Sequence, residues 1–262
     1  MTRKEVLAEI KKCEAQKIYD CHVDPINRDI CLPVDENFQY LKKGKTRFKV
    51  FWQNLLIVRP FTFYINKLSF RKVKVIGKNN LKNVKKAILI CNHIDKFDCL
   101  VVKRSVAPHN LFITAAEFNN FSGFLGEMMR AGGMWPMSKN LKALRHFNQA
   151  IEKKLAENNY ILFYPEQSMW WHYDKPRPFK DGAFHYAVKH NVPIIPCFIT
   201  YRLTNKFECE NLPVKHFTLN IAKPIYPDIN LEKKAGINFL KTQSYQSCVK
   251  IYEETYQKKL EM

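Results

Sequence analysis

The sequence predicts a mixed α/β fold, with a mainly parallel central sheet flanked by helices. Short apolar runs typical of buried strands, such as residues 87–91, alternate with longer segments whose apolar residues recur at helical spacing, such as 139–158. A basic and aromatic segment precedes them and predicts an N-terminal helical part that faces a membrane. The connections are too irregular for a regular doubly wound order.

Three parts are expected along the chain. They are an N-terminal helix with an irregular segment, a membrane-interface helical segment, and an α/β domain, at residues 1–40, 41–70 and 71–262. Thr2 and Glu5 form the capping-box pattern that begins a helix, which is expected to reach about Lys17. The stretch from there to residue 40 contains two prolines and is expected to be irregular.

Strands and helices alternate in the α/β domain. Strands are expected at residues 71–76, 87–91, 111–114, 134–137, 160–164, 193–199 and 216–222. Helices, or a turn in the second case, are expected at residues 96–105, 121–130, 139–158, 181–190 and 231–259. This order places His93, Lys139 and Glu166 at the ends of different strands or in the loops beyond them, where active sites of open α/β sheets commonly gather.

The formal net charge is +19, and the positive charge is concentrated in one region. Residues 41–86 contain no Asp or Glu but many basic residues: Lys42, Lys43, Lys45, Arg47, Lys49, Arg59, Lys67, Arg71, Lys72, Lys74, Lys78, Lys82, Lys85 and Lys86. Such a region needs an anionic partner, and both nucleic acid and anionic lipid qualify. The continuous apolar run at 51–65 favours lipid, and no helix-turn-helix, OB or RRM signature is found.

The apolar run at 51–65 is too short, and too interrupted by Arg59 and Pro60, to span a bilayer of about 30 Å. It is typical of a bent helix or helix pair in the interface, with aromatic rings at headgroup depth. The expected location is therefore peripheral (monotopic), on the cytoplasmic face of an anionic membrane. An ordinary core helix with a basic outer face is the alternative.

The cysteines are scattered without a CxxC pair, at Cys13, Cys21, Cys31, Cys91, Cys99, Cys197, Cys209 and Cys248. Because the chain starts without a secretory signal pattern, they are expected to be reduced thiols of a cytosolic protein. Cys21, His22 and Cys31 match no standard zinc spacing, so no metal site is expected.

The string from His93 to Asp98 carries the clearest chemistry. A histidine at a strand end, with a carboxylate five residues later, suits base catalysis on a hydroxyl, because the carboxylate fixes the tautomer of the imidazole that takes the proton. Five residues are about 1.4 helical turns, so His93 is expected in the loop and Asp98 in the first turn of the helix. Asp95 is expected to be the N-cap of that helix. Plain loop chemistry is the alternative.

Three further strings follow in order: GMWPMSK at 133–139, FYPEQS at 163–168 and VPIIPCFI at 192–199. Together with NHIDKFD, they resemble the four blocks of the glycerolipid acyltransferases, the 1-acylglycerol-3-phosphate acyltransferase (PlsC-type) family. NHIDKFD is similar to NHxSxxD of that family, GMWPMSK to GxxPVDR, YPEQS to the start of FPEGTRS, and VPIIP to VPIxP. The resemblance covers roughly residues 50–225.

The resemblance implies an O-acyltransferase in which His93 is the general base and Asp98 orients it. It implies a substrate-binding set made of Asn92, Lys139, Glu166, Gln167, Ser168 and Lys180. The acceptor would be a lysophospholipid such as 1-acylglycerol-3-phosphate or a related membrane acceptor. The donor would be a fatty acyl thioester, on coenzyme A or acyl-carrier protein, and no cofactor is implied. Backbone N–H groups near the VPIIP block are expected to hold the oxyanion.

The chain also departs from the family pattern. Asp95 stands where the pattern has Ser, and it adds a negative charge beside His93 unless a nearby cation offsets it. Gln167 replaces Gly and Met169 replaces Arg, so a basic group expected near the acceptor headgroup is missing there. The candidates to supply it are Lys175, Arg177 and Lys180. A catalytically silent lipid-binding relative and a basic nucleic-acid-binding protein are the alternative interpretations.

Overall fold

The computed structural model describes residues 1–26, 29–69, 71–207 and 211–260. Within these residues one sheet contains β1 (Lys74–Ile76), β2 (Ala87–Ile90), β3 (Leu111–Ala116), β4 (Met134–Met137), β5 (Tyr160–Phe163), β6 (Ile194–Phe207) and β7 (Pro213–Ile221). The order across the sheet is β1-β7-β6-β2-β5-β3-β4. Only β6 and β7 pair antiparallel, and the other neighbours are parallel. The predicted mixed, mainly parallel sheet is confirmed.

Helices cover both faces of this sheet. The α-helices are α1 (Arg3–Ala15), α2 (Gly44–Gln53), α3 (Arg59–Phe63), α4 (Asp98–Ser105), α5 (Gly123–Ala131), α6 (Leu141–Ala156), α7 (Gly182–His190) and α8 (Lys233–Tyr256). Alternate side chains of β2 face two separate cores, as the strand period requires. Leu89 packs in one core with Val101 of α4, whereas Ile88 packs in the other with Phe147 of α6 and Phe184 of α7.

Helical structure continues from α2 through α3 to Leu68, with wide π-helical turns at Asn54–Val58 and Tyr64–Leu68. The expected helical segment is therefore present, and its expected contact with a membrane remains a prediction. In the parts of the chain that the structure describes, no helix has both the length and the apolar character needed to cross a membrane.

Several element limits differ from the prediction. The strand β6 continues to Phe207 because β7 pairs with it over most of its length. The first strand begins at Lys74 rather than residue 71, because Lys72 has a φ of 35°, outside the extended region. The helix α4 begins at Asp98 rather than residue 96, because residues 95–97 form a turn closed by the Asp95 side chain.

The N-terminal helix begins as predicted. The Glu5 N–H donates to Thr2 Oγ1 at 3.2 Å, and the Thr2 N–H donates to Glu5 Oε2 at 2.8 Å. The expectation of reduced cysteines is wrong for two of them, since Cys13 of α1 and Cys21 form a disulfide. Cys209 lies outside the described residues. Cys91, Cys99, Cys197 and Cys248 are free thiols, as expected.

Candidate active site

His93 and Asp98 meet at the carboxyl end of β2, His93 in the loop and Asp98 as the first residue of α4. His93 Nδ1 lies 2.7 Å from Asp98 Oδ2. Only 1% of the Asp98 side chain is exposed, against 23% of the His93 side chain. Because Asp98 engages Nδ1, Nε2 is the ring nitrogen that is able to exchange a proton with a substrate.

Asp98 is held by further hydrogen bonds. Its Oδ2 accepts from the backbone N–H groups of Ile94 at 3.0 Å and Asp95 at 3.3 Å, and its Oδ1 accepts from the Tyr164 hydroxyl at 2.6 Å. The Tyr164 ring also stacks on the His93 imidazole, with centroids 4.1 Å apart. Burial, and then the charge of Asp98, holds the pKa of Tyr164 well above its ordinary value, so the hydroxyl stays protonated and donates to Asp98.

Glu166 forms a buried ion pair beside His93. Its Oε2 lies 2.8 Å from Arg177 Nη2, and 1% of each side chain is exposed. The Arg177 backbone N–H donates to Glu166 Oε1 at 3.0 Å, and the His93 backbone N–H donates to Oε2 at 3.3 Å. Glu166 therefore ties the loop after β5 to the loop that carries His93. These contacts give it a positioning role, and its contact with an acceptor remains a prediction.

The two residues after Glu166 differ in exposure. Ser168 is buried, and its Oγ accepts from Arg177 Nη1 at 3.0 Å, so the hydroxyl supports the ion pair instead of facing solvent. Gln167 is exposed, and its φ of 65° lies in the left-handed region that favours glycine. This conformation gives a physical reason for the Gly that the family pattern has at this position.

The loop cations that were candidates to bind the headgroup have carboxylate partners within the protein. Arg177 pairs with Glu166, as described. Lys175 Nζ lies 2.6 Å from Glu14 Oε1, and Lys180 Nζ lies 2.9 Å from Asp20 Oδ2. These contacts join the N-terminal segment to the loop after β5, and they compete with any anionic ligand.

Lys139 and Asn92 lie in different surroundings. Lys139 is exposed after β4, three strands from β2 along the same edge, which is about 14 Å at ordinary strand spacing. Asn92 is buried, and its side chain accepts from the Ile199 N–H at 2.8 Å and donates to the Ile199 carbonyl at 3.0 Å. Asn92 thus ties β2 to β6, and its amide is not presented to the site.

Arg71 and Tyr164 are site residues that the sequence did not identify. Arg71 Nε and Nη2 lie 3.1 and 2.9 Å from the two carboxylate oxygens of Asp95. Burial raises the pKa of Asp95, and the charge of Arg71 opposes that rise. The N-cap position of α4 belongs to Phe97, so the N-cap prediction for Asp95 is wrong. No local spacing signals the pairing, because Arg71 precedes Asp95 by 24 residues.

Trp170 and Trp171 are buried, with 0% and 7% exposure, and they pack against Val6 and Ile10 of α1. They hold the N-terminal helix against the loop after β5, so they do not line an open acyl or sugar site. Cys91 is also buried, and burial raises the pKa of its thiol well above the ordinary value. A neutral, inward-facing thiol does not serve as a nucleophile.

Two backbone N–H groups of the VPIIP block are used within the fold. The Val192 N–H donates to the Ala187 carbonyl at 3.1 Å, and the Ile194 N–H donates to the Ile225 carbonyl at 2.9 Å. The block ends at Pro196, which lies level with Ile90, the last residue of β2. An oxyanion site near this block stays a prediction.

Residues 72–200 match the family model described as Acyltransferase. These residues form an acyltransferase-family domain. The match contains His93, Asp98, Lys139, Glu166 and Arg177, so the predicted resemblance is confirmed for the segment that builds the site.

The acyltransferase segment also has curated relatives. The 1-acyl-sn-glycerol-3-phosphate acyltransferase of Saccharomyces cerevisiae is 30% identical over 131 residues, 49% of this chain and 43% of that protein. An uncharacterized acyltransferase of Schizosaccharomyces pombe is 32% identical over 136 residues, 50% of this chain and 48% of that protein. The chain spans about half the length of these curated relatives.

A solved structure is also similar to this chain. It is the 1-acyl-sn-glycerophosphate (LPA) acyltransferase PlsC from Thermotoga maritima, with 18% sequence identity and a TM-score of 0.47. The similarity covers 77% of this chain and 88% of that chain.

Proposed function

We propose that this protein transfers a fatty acyl group from a thioester donor to the hydroxyl of a lysophospholipid or a related membrane acceptor. The observation that carries the proposal is the contact of 2.7 Å between His93 Nδ1 and buried Asp98 Oδ2. A buried carboxylate on Nδ1 fixes the tautomer with a basic Nε2 and stabilises the imidazolium that forms when Nε2 takes a proton.

The proposed reaction is a single displacement. His93 Nε2 takes the proton of the acceptor hydroxyl while the oxygen of that hydroxyl attacks the thioester carbonyl carbon. A C–O bond forms, the C–S bond breaks, and the proton passes from His93 to the leaving thiolate. General-base catalysis contributes about 10²- to 10⁴-fold, and positioning supplies the rest.

The acceptor proposal includes 1-acylglycerol-3-phosphate because the yeast relative carries the name of that activity. Lys139 is an exposed cation at this edge of the sheet, and we assign it to a phosphate group, where it acts as a point charge. Acyl-coenzyme A and acyl-carrier protein are both candidate donors, and neither requires a resident cofactor.

The proposal is tested by incubating the protein with each donor and with lysophosphatidate or other lysophospholipids in vesicles. The expected result is release of the donor thiol in equal amount to an acylated lipid of matching mass. A folded protein that binds the vesicles but releases no thiol with any pair would contradict acyl transfer. That result would favour the catalytically silent lipid-binding relative.

We also propose that this enzyme works on a membrane surface, because the helical segment 44–68 exposes many large apolar side chains. They are Phe48, Phe51, Trp52, Leu56, Ile57, Phe61, Phe63, Tyr64 and Leu68. Phe124 and Leu125 of the neighbouring helix α5 are exposed as well. A large apolar patch within a region rich in Lys and Arg is typical of a peripheral contact with anionic lipid, and we place it on the cytoplasmic face.

Replacing Phe51 and Leu56 together by Ser is expected to weaken binding to anionic vesicles by about 10²-fold or more. Each side chain contributes about 1.5–3 kcal/mol when it is fully buried in an apolar medium. Vesicle co-sedimentation measures the affinity. Leu203→Ser is the matched control, because Leu203 is 75% exposed but lies on β6, outside this segment. Equal affinities for the double variant and the control would contradict the membrane role of the segment.

A further inference from the structure

We propose that Arg71 and Asp95 are a matched positioning pair for the general base. In this role Asp95 holds the turn between His93 and Asp98, and Arg71 cancels the charge that Asp95 brings to it. The inference rests on the proposed function of His93. It concerns Arg71, to which the family pattern gives no role, and Asp95, which replaces the Ser of that pattern.

The pair is bidentate and enclosed. Two hydrogen bonds of 3.1 and 2.9 Å join the Arg71 guanidinium to the Asp95 carboxylate, and the side chains are 8% and 3% exposed. The guanidinium carbon lies 5.0 Å from the Phe97 ring centroid and 5.7 Å from that of Phe217. The Arg71 carbonyl accepts from the Phe217 N–H at 2.7 Å, which fixes Arg71 to β7. Low solvent access strengthens such a pair.

Asp95 connects its ion pair with Arg71 to the carboxylate of Asp98. Its Oδ1 accepts from the Phe97 N–H at 2.8 Å and closes the turn that leads into α4. Its own N–H donates at 3.3 Å to Asp98 Oδ2, the oxygen that also meets His93 Nδ1. Any displacement of residue 95 therefore moves a donor to the oxygen that orients the base.

Charge gives a second reason for the pairing. The family pattern has Ser at position 95, and a neutral hydroxyl is able to close a turn without a counter-ion. An aspartate at that position, buried and near Asp98, brings a second negative charge to the same turn. Arg71 balances that charge, so the sequence departure at Asp95 and the inward turn of Arg71 form one arrangement.

The other titratable and charged groups around the pair and His93 come from several elements. They are His22, Asp98, Tyr164, Glu166, His172, Arg177, Tyr201 and Lys215. Burial lowers the pKa of His172 to about 2 and holds the pKa of Tyr201 well above its ordinary value, so both stay neutral between pH 5 and 9. Glu166 and Arg177 neutralise each other. His22 is the other imidazole whose charge acts on this site.

The test is the pH dependence of acyl transfer, measured from pH 5 to 9 in a His22→Gln background, which removes the charge of His22 from the site. The variants are Asp95→Ser, Arg71→Met and the two combined. Asp95→Ser removes the carboxylate but keeps the Arg71 guanidinium, which cannot lose its proton. This positive charge disfavours the imidazolium form of His93. The acid limb of the rate profile should move to lower pH by about half a unit or more, and the double variant should restore its position.

The rates provide a second readout. Arg71→Met should lower kcat/KM by about 10- to 10²-fold through displacement of the turn, and adding Asp95→Ser should recover most of the loss. Two results together would overturn the pairing while the proposed function stands. The acid limb of Asp95→Ser would coincide with that of the parent, and the loss of kcat/KM in the double variant would equal the product of the two single losses. A parent protein that transfers no acyl group would overturn both proposals.

Discussion

Asp98→Asn is expected to lower kcat/KM for acyl transfer by about 10²- to 10⁴-fold. All the groups that contact the carboxylate point toward it as hydrogen-bond donors: His93 Nδ1, the N–H groups of Ile94 and Asp95, and the Tyr164 hydroxyl. An asparagine amide must turn its NH₂ group toward some of these donors. In either orientation of the amide the imidazolium loses its counter-charge, and with the NH₂ group toward His93 the imidazole also takes the wrong tautomer.

Initial rates on vesicles measure this effect, with circular dichroism to verify folding. Tyr164→Phe is the matched control, because it removes only the 2.6 Å bond to Oδ1 and leaves the oxygen that meets His93. Loss of one neutral donor should cost less than about 10-fold. An Asp98→Asn variant that stays within 10-fold of the wild type would contradict the assigned role of Asp98.

Arg177→Met is expected to lower the free energy of unfolding by about 3–5 kcal/mol, because it leaves the buried Glu166 carboxylate without its counter-ion. The guanidinium also donates at 3.0 Å to the Tyr19 carbonyl and at 3.0 Å to Ser168 Oγ. Its loss therefore loosens the N-terminal segment as well as the loop after β5.

Urea unfolding measures this prediction. Adding Glu166→Gln to Arg177→Met should recover part of the lost stability, since the neutral amide removes the unpaired charge. Lys180→Met is the control in the same loop; its ion pair with Asp20 is about half exposed, at 53% and 49%, and should contribute at most about 1 kcal/mol. Equal losses for Arg177→Met and Lys180→Met would show that the buried pair does not stabilise the fold.

Local pattern predicted the sheet and the position of His93 at its edge well. The runs that form β2 and β5 are buried at all four positions, which is typical of parallel strands covered on both faces. Because parallel strands end at one edge, the spacing placed His93 and Glu166 together there, in the loops after β2 and β5. Spacing also placed His93 outside α4 and Asp98 within its first turn.

Contacts between distant parts of the chain were not predictable from the sequence. Arg71 precedes Asp95 by 24 residues, and the Tyr19 carbonyl lies 158 residues from Arg177, so no periodicity connects either pair. The sequence likewise did not distinguish an exposed cation from a paired one in the loop that holds Lys175 and Arg177. Tertiary packing decides which side chains are buried or ion-paired. Asn92 and Ser168 are buried for this reason and do not lie on the exposed surface of the site.

The most direct test of the central claim compares acyl transfer by the wild type and His93→Ala on anionic vesicles. Labelled acyl-coenzyme A and acyl-carrier protein serve as donors, lysophosphatidate and an extracted lipid pool serve as acceptors, and products are identified by mass. We expect an acylated lipid from the wild type and at least about 10²-fold less from a folded His93→Ala. Equal product from both proteins would contradict the assignment of His93 as the general base.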